Sequence, residues 1–242
     1  MSEQTRILVV NPNSSVPITD TLKNSIACPP GCILKYLTGP PSAPPSIDDD
    51  KTSLQSEEAC FPLLNQAIFN GEIDAILIAC YSDHPLVHSL KSIHPSFPII
   101  GIFEASIAHA LLLGQAFGIV TTGAAWESAL STGVAKFLGF DSKSLGIPDM
   151  RQWRTKRFVG VESTGLGVNE LHEADQEEVA SRIGAAAKSL VTKGADVICL
   201  GCAGMSGMGR IVASATEGRV TVVDGVQAGV DLLAGLVHRK NI

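Results

Sequence analysis

The chain has 242 residues, 45% of them hydrophobic, and a formal net charge of −6, so it holds enough apolar material for one large domain or for two α/β halves of about 100–120 residues each. Its acidic balance and a pI near 5.5 argue against nucleic acid or an anionic membrane surface as the main partner, since both call for clustered lysine and arginine. The first apolar run, "ILVV", stops at Asn11, short of a signal-peptide core, and no window approaches the ~20 apolar residues that cross a bilayer, which leads us to expect a soluble, cytoplasmic protein that handles a small molecule.

Strand-like apolar runs recur at "RILVV", "GCILKYL", "DAILIAC", "FPIIGIF", "FGIVTT", "FVGVEST", "DVICLGC" and "RVTVVDG". They lack polar alternation, which fits strands buried on both faces in a parallel sheet covered by helices. Between them, helical periodicity is expected over Ser53–Asn70, Ile107–Gln115, Trp126–Leu138, Ala174–Lys193 and Gln227–Val237. Asp175 precedes acids in the first turn of the fourth of these, and Gly194 stops it. Thr38–Ser53 is rich in proline, serine and aspartate and reads as a loop, either a plain exposed connection or a flap over a pocket. The six cysteines, at 28, 32, 60, 80, 199 and 202, are expected to be free thiols in a reducing compartment, and any one of them alone is by default a small buried hydrophobe.

The chain also repeats itself. A shift of 122 residues carries Asp74 onto Asp196, Ile76 onto Ile198 and Cys80 onto Cys202, with "NGEID" or "TKGAD" leading into the two strands. "RILVVNPNSS" has its counterpart in "AFGIVTTGAA", and "PIIGIFEASIAHALL" in "VTVVDGVQAGVDLL". Two halves with the same strand–helix order account for this. The fold class expected is therefore α/β, with two pseudo-symmetric lobes, each a short parallel sheet flanked by helices. Residues 1–104 with 224–242 would make one lobe and 105–223 the other.

Ligands of open parallel sheets bind beyond the carboxyl ends of the strands. Four polar strand ends qualify: "NPNSS" at 11–15, "CYSDH" at 80–84, "TTGAA" at 121–125 and "CAGM" at 202–205. Were the halves related by an approximate dyad, Cys80 and Cys202 would approach one cleft from opposite sides. Inverting a carbon acid requires a base on one face and an acid on the other, and a thiol, with a pKa near 8.5, suits both roles near neutrality. N–H donors at the strand ends would hold the enolate. Neither a metal nor an organic cofactor is called for.

These segments, in this order and over nearly the whole chain, resemble the hydantoin racemase branch of the aspartate/glutamate racemase superfamily, with its allantoin racemase-like members. The resemblance implies cofactor-independent racemisation in the cleft between two lobes, with Cys80 and Cys202 as the catalytic acid/base pair. It also implies a substrate pocket lined by Asn11, Ser15, Tyr81, Ser82, Asp83, Thr121, Thr122, Ala203, Gly204 and Met205. Together with the high apolar content, it suggests a homo-oligomer. Tyr81 and His84 stand where many members carry other residues, which bears on substrate preference. Few basic residues lie near the four strand ends, Arg210 being the nearest, and this favours a neutral cyclic ureide or hydantoin over a zwitterionic amino acid.

Rival readings remain at this level. An aspartate/glutamate-type amino-acid racemase, a single-thiol isomerase or decarboxylase of a small diacid, and a non-catalytic ligand-binding protein would all fit two lobes. Cys199 and Cys202 form a C-x-x-C, but no second pair lies at zinc spacing. "GCAGMSGMG" only faintly follows a dinucleotide fingerprint. His84 and His88 read as first-turn surface histidines, with a pocket role for His84 second, and Asp83 as a cap for the helix that begins at Pro85. Asp224 either bonds across the lobes or approaches the site.

Overall fold

A computed structural model describes residues 4–141, 143–168 and 170–238. The chain divides into two compact units, Met1–Ala105 with Val226–Ile242, and Ser106–Gly225. The first runs β1 (Thr5–Asn11), α1 (Val16–Ser25), β2 (Cys32–Thr38), α2 (Asp50–Phe69), β3 (Ala75–Ile78), α3 (Pro85–Ile93) and β4 (Ile99–Gly101). The division falls inside α4 (Ile102–Leu113). The second unit continues with β5 (Phe117–Thr121), α5 (Ala125–Phe137), β6 (Phe158–Ser163), the single turn α6 (Glu170–Glu173), α7 (Gln176–Thr192), β7 (Val197–Leu200), α8 (Gly209–Ala215) and β8 (Thr221–Asp224). Most of α9 (Gly225–His238) returns to the first unit. Among the described residues, no helix is long and apolar enough to cross a membrane.

Each unit contains one four-stranded parallel sheet. The strand orders are β2-β1-β3-β4 and β6-β5-β7-β8, the same permutation four strands apart. The central strands β1, β3, β5 and β7 are buried along almost their whole length, as their unbroken apolar runs require. The edge strands differ from expectation: β2 and β8 are partly exposed, because a helix-covered sheet leaves its outermost strands open to solvent on one side. Leu8, Val10, Leu64, Ile76, Ile78, Leu86 and Leu90 share one core cluster, and Val120, Val179, Ile183, Leu190, Ile198 and Leu200 another.

The duplicated aspartates brace these sheets. Asp74 accepts from the Arg6 backbone N–H at 2.7 Å and from its guanidinium at 2.8 and 3.0 Å, tying the head of β3 to β1. Asp196 accepts from the amides of Gln115 and Ala116 at 2.8 and 2.9 Å, tying β7 to β5. The Arg6 side chain holds the Asp74 carboxyl below the ordinary carboxylate range. Burial pushes Asp196 up, but backbone N–H donors, the Gln115 and Ala116 amides foremost, together with the Arg157 charge leave the group below its ordinary value. Replacing Asp74 with Ala is expected to remove about 1–2 kcal/mol of stability at pH 7, read by urea unfolding. Because the folded pKa is depressed, that contribution is present above the unfolded value near 3.9 and fades as pH falls through the folded one.

Several boundaries differ from the sequence expectation. The segment after β2 is no plain connection: Gly39 N–H donates to the carbonyls of Asn11 and Asn13, Ser14 N–H to Pro44 O, and Ala43 and Ile47 are buried. The helix expected from Ser53 begins at Asp50, where Asp49 and Thr52 form a reciprocal capping box. The fourth strand ends at Gly101, and α4 starts at once instead of at Ile107. Helix α1 was not anticipated. Its Pro17 sits in the first turn, where no N–H is missed, and only Ile18, Thr19 and Leu22 are buried.

Candidate active site

The two sheets deliver their thiols in the same way. Ile78 of β3 pairs with Val10 of β1, and Leu200 of β7 pairs with Val120 of β5. One residue on, Ala79 N–H donates to Val10 C=O at 2.8 Å, and Gly201 N–H donates to Val120 C=O at 2.7 Å. The next residue in each case is a half-buried cysteine, Cys80 or Cys202. All six cysteines are unbridged. Cys60 and Cys199 are fully buried, and burial pushes the Cys60 thiol up to about 11, which makes it a poor source of thiolate.

In the first unit, Cys80 opens a tight turn. Ser82 N–H donates to Cys80 C=O at 3.1 Å, His84 N–H donates to Ser82 C=O at 2.8 Å, and the Ser82 Oγ lies 3.5 Å from the Cys80 Sγ. Tyr81 is buried with its ring edge-on to Phe103 at 5.6 Å. Asn11, at the end of β1, is buried. Its amide donates to Ser15 C=O at 2.9 Å and to Thr19 Oγ1 at 3.1 Å, so its side chain organises the start of α1. Ser15 stands at the N-cap of that helix without a side-chain capping bond, and its own N–H donates to Asn13 Oδ1 at 2.9 Å.

The histidine and aspartate roles expected for this turn are corrected. His84 is not on the surface. It is fully buried, and its Nδ1 accepts from Leu86 N–H at 3.2 Å, so His84 and not Asp83 caps α3. That bond assigns the proton to Nε2, which has no partner among the described residues, and burial lowers the His84 pKa to about 4. Asp83 instead meets the half-exposed His88, with Oδ1 and Nε2 2.5 Å apart. Glu104 adds an acidic group that the sequence reading did not find: the three possible ligand atoms of Asp83, His88 and Glu104 lie within 4.8 Å of one another. Burial pushes the Glu104 carboxyl up, toward the protonated form.

In the second unit, Thr121 ends β5, Thr122 follows it, and both are buried. Thr121 Oγ1 donates to Gly201 C=O at 2.9 Å, and the carbonyls of Thr121 and Thr122 accept from the Thr164 and Gly165 amides at 2.8 and 3.0 Å. After Cys202, Ala203–Met205 forms one 3₁₀ turn, closed by Met205 N–H donating to Cys202 C=O at 3.0 Å. Met205 is part of the core. Asp224 lies in the same unit as this turn. Its Oδ2 accepts from Ser206 Oγ at 2.7 Å and Gly207 N–H at 2.9 Å, and so fixes the loop that follows Cys202.

The glycines of this run have a packing reason. A methyl carbon at Gly201 would lie 2.6 Å from Ile119 Cγ2 and 2.7 Å from the Val120 carbonyl oxygen. The backbone can approach β5 only without a side chain. Gly201→Ala is therefore expected to cost about 2 kcal/mol of stability, seen as a lowered thermal midpoint, and to displace the Cys202 turn.

A family model described as Asp/Glu/Hydantoin racemase matches residues 7–233. An uncharacterized protein of Schizosaccharomyces pombe (strain 972) is 38% identical over 236 residues, covering 96% of this chain and 92% of the relative. The hydantoin racemase of Paenarthrobacter aurescens is 29% identical, covering 96% of this chain and 91% of its own. Among solved structures, the allantoin racemase of Pseudomonas fluorescens is 28% identical with a TM-score of 0.78, covering 98% of this chain and 92% of that one. Fold and likeness together define the class, an enzyme of the racemase type. The chain belongs to the Asp/Glu/hydantoin racemase family.

Proposed function

We propose that this enzyme inverts the C5 centre of a 5-substituted hydantoin or of allantoin, using Cys80 and Cys202 as the acid/base pair and no cofactor. The observation that carries the reading is the matched placement of one half-buried thiol two residues beyond the last paired residue of equivalent strands, each anchored to its central strand by the same hydrogen bond. One cysteine, as thiolate, removes the C5 proton. The C–H electron pair moves into the neighbouring carbonyl as an enolate, the other cysteine delivers its S–H proton to the opposite face, and the two thiols end with their protonation states exchanged. An ordinary thiol titrates near 8.5, so a fraction of either cysteine can be thiolate near neutral pH.

The substrate class is supported by the neutral character of the strand-end groups, Ser82, Thr121, Thr122 and backbone amides, which suit the carbonyls and N–H groups of a cyclic amide. It is also supported by the names of two similar proteins, a hydantoin racemase and an allantoin racemase. Ser15, Asp83, Ala203 and Gly204 complete the substrate pocket in this reading, with Asn11, Tyr81 and Met205 as buried supports. The test is incubation of enantiopure allantoin and 5-alkyl hydantoins in deuterium oxide, following optical rotation and deuterium content together. Loss of rotation with uptake of one deuterium at C5 is the expected result. Neither change with any of these substrates overturns the substrate assignment.

A further inference from the structure

We propose that His172, the third residue of α6, is a positioning residue that sets the protonation of Cys202. The inference concerns the thiol chemistry of this unit, and its consequence for catalysis rests on the two-thiol reading above.

The geometry converges on Gly204. A methyl carbon placed there would lie 3.1 Å from Val168 Cγ1, 3.6 Å from Cys202 Sγ and 3.6 Å from His172 Nε2. The thiol and the imidazole therefore both border the point where that carbon would stand and are at most twice that distance apart. The segment that brings His172 there is stitched down at three points. The Thr164 and Gly165 amides bond to the end of β5, Gly167 N–H donates to Glu170 Oε2 at 2.6 Å, and Leu171 is fully buried in the core. His172 itself remains exposed, so its imidazole is free to exchange protons with solvent.

An imidazole is the side chain whose ordinary pKa lies between pH 5 and 8, and an imidazolium near a thiol favours the thiolate. The charged groups on the surrounding elements are Glu170 and Glu173 on α6, Asp175 and the Glu178–Arg182 ion pair on α7, Arg210 on α8, and Asp224, which is held by Ser206 and Gly207.

The test is the pH dependence of iodoacetamide alkylation, followed peptide by peptide with mass spectrometry in the wild type, His172→Gln and His172→Lys. Cys80 serves as the internal standard for correct folding. In the wild type, Cys202 is expected to retain reactivity below pH 7, with a second inflection from the imidazole beside that of the thiol. His172→Gln should abolish that inflection and slow alkylation of Cys202 at pH 7 by about three- to tenfold, while His172→Lys should restore the low-pH reactivity by restoring the charge. A Cys202 profile identical in all three proteins, or a wild-type profile with a single ordinary thiol step, overturns the proposal. Enantiomers have equal free energy, so kcat/KM is equal in the two directions of racemisation and its acidic limb should move alike in both. A shifted Cys202 profile in a protein that racemises nothing would support the role of His172 and overturn the functional reading instead.

Discussion

Replacing either Cys80 or Cys202 with serine is expected to lower racemisation at least about 10³-fold, the scale on which a positioned acid or base acts. A serine hydroxyl is too weak an acid to form a usable base near neutral pH, yet it fills nearly the same volume, so the fold should survive. The two variants should also fail informatively. With one thiol left, proton removal and return occur on the same face, so substrate of one hand takes up deuterium while its rotation is retained. Cys28→Ser is the control, because Cys28 is exposed and lies in a different part of the chain. Racemisation that persists in either the Cys80 or the Cys202 variant would overturn the two-thiol mechanism.

The second large effect concerns stability against pH. His84 is buried, uses its Nδ1 to cap α3, and has a folded pKa of about 4, chiefly through burial; the charge of Asp83 opposes this and that of His88 adds to it. An unfolded histidine titrates near 6.5. The folded state therefore binds fewer protons across the interval. The stability that depends on a neutral His84 is fully present above pH 6.5 and is lost as pH falls toward 4, by roughly 3 kcal/mol over the window. The depressed carboxylates Asp74 and Asp196 lose their contribution only at lower pH, so the two processes separate. His84→Asn keeps a side-chain oxygen for the cap but cannot titrate. Urea unfolding at pH 7 and pH 4.5 should show a steep loss in the wild type and a much shallower one in this variant. Equal slopes would mean that His84 is protonated in the folded protein.

The central strands were legible because a strand buried on both faces must be apolar at successive positions, a pattern local in the chain, and the edge strands β2 and β8 because they keep short β-rich runs despite their exposure. The duplication was legible for a related reason: Asp74 and Asp196 perform the same bracing task at the heads of β3 and β7, so the same residue recurs at the same offset from Cys80 and Cys202. Helix α1 was missed because it buries only three side chains, too few to make a periodic signal. The start of α2 was misjudged because its capping box lies inside a run of aspartates that otherwise reads as loop.

What the linear chain determined about this protein, then, is its strands, their duplication and the thiol that ends each equivalent one, since all of these depend on neighbours in sequence. Only the tertiary structure decided that His84 is a buried cap, that Asp224 holds the loop after Cys202, that Gly201 admits β5, and that His172 borders the same space as the Cys202 sulfur. Each of those depends on which loop folds onto which strand end, and polar residues in loops carry no periodicity that would announce their partners.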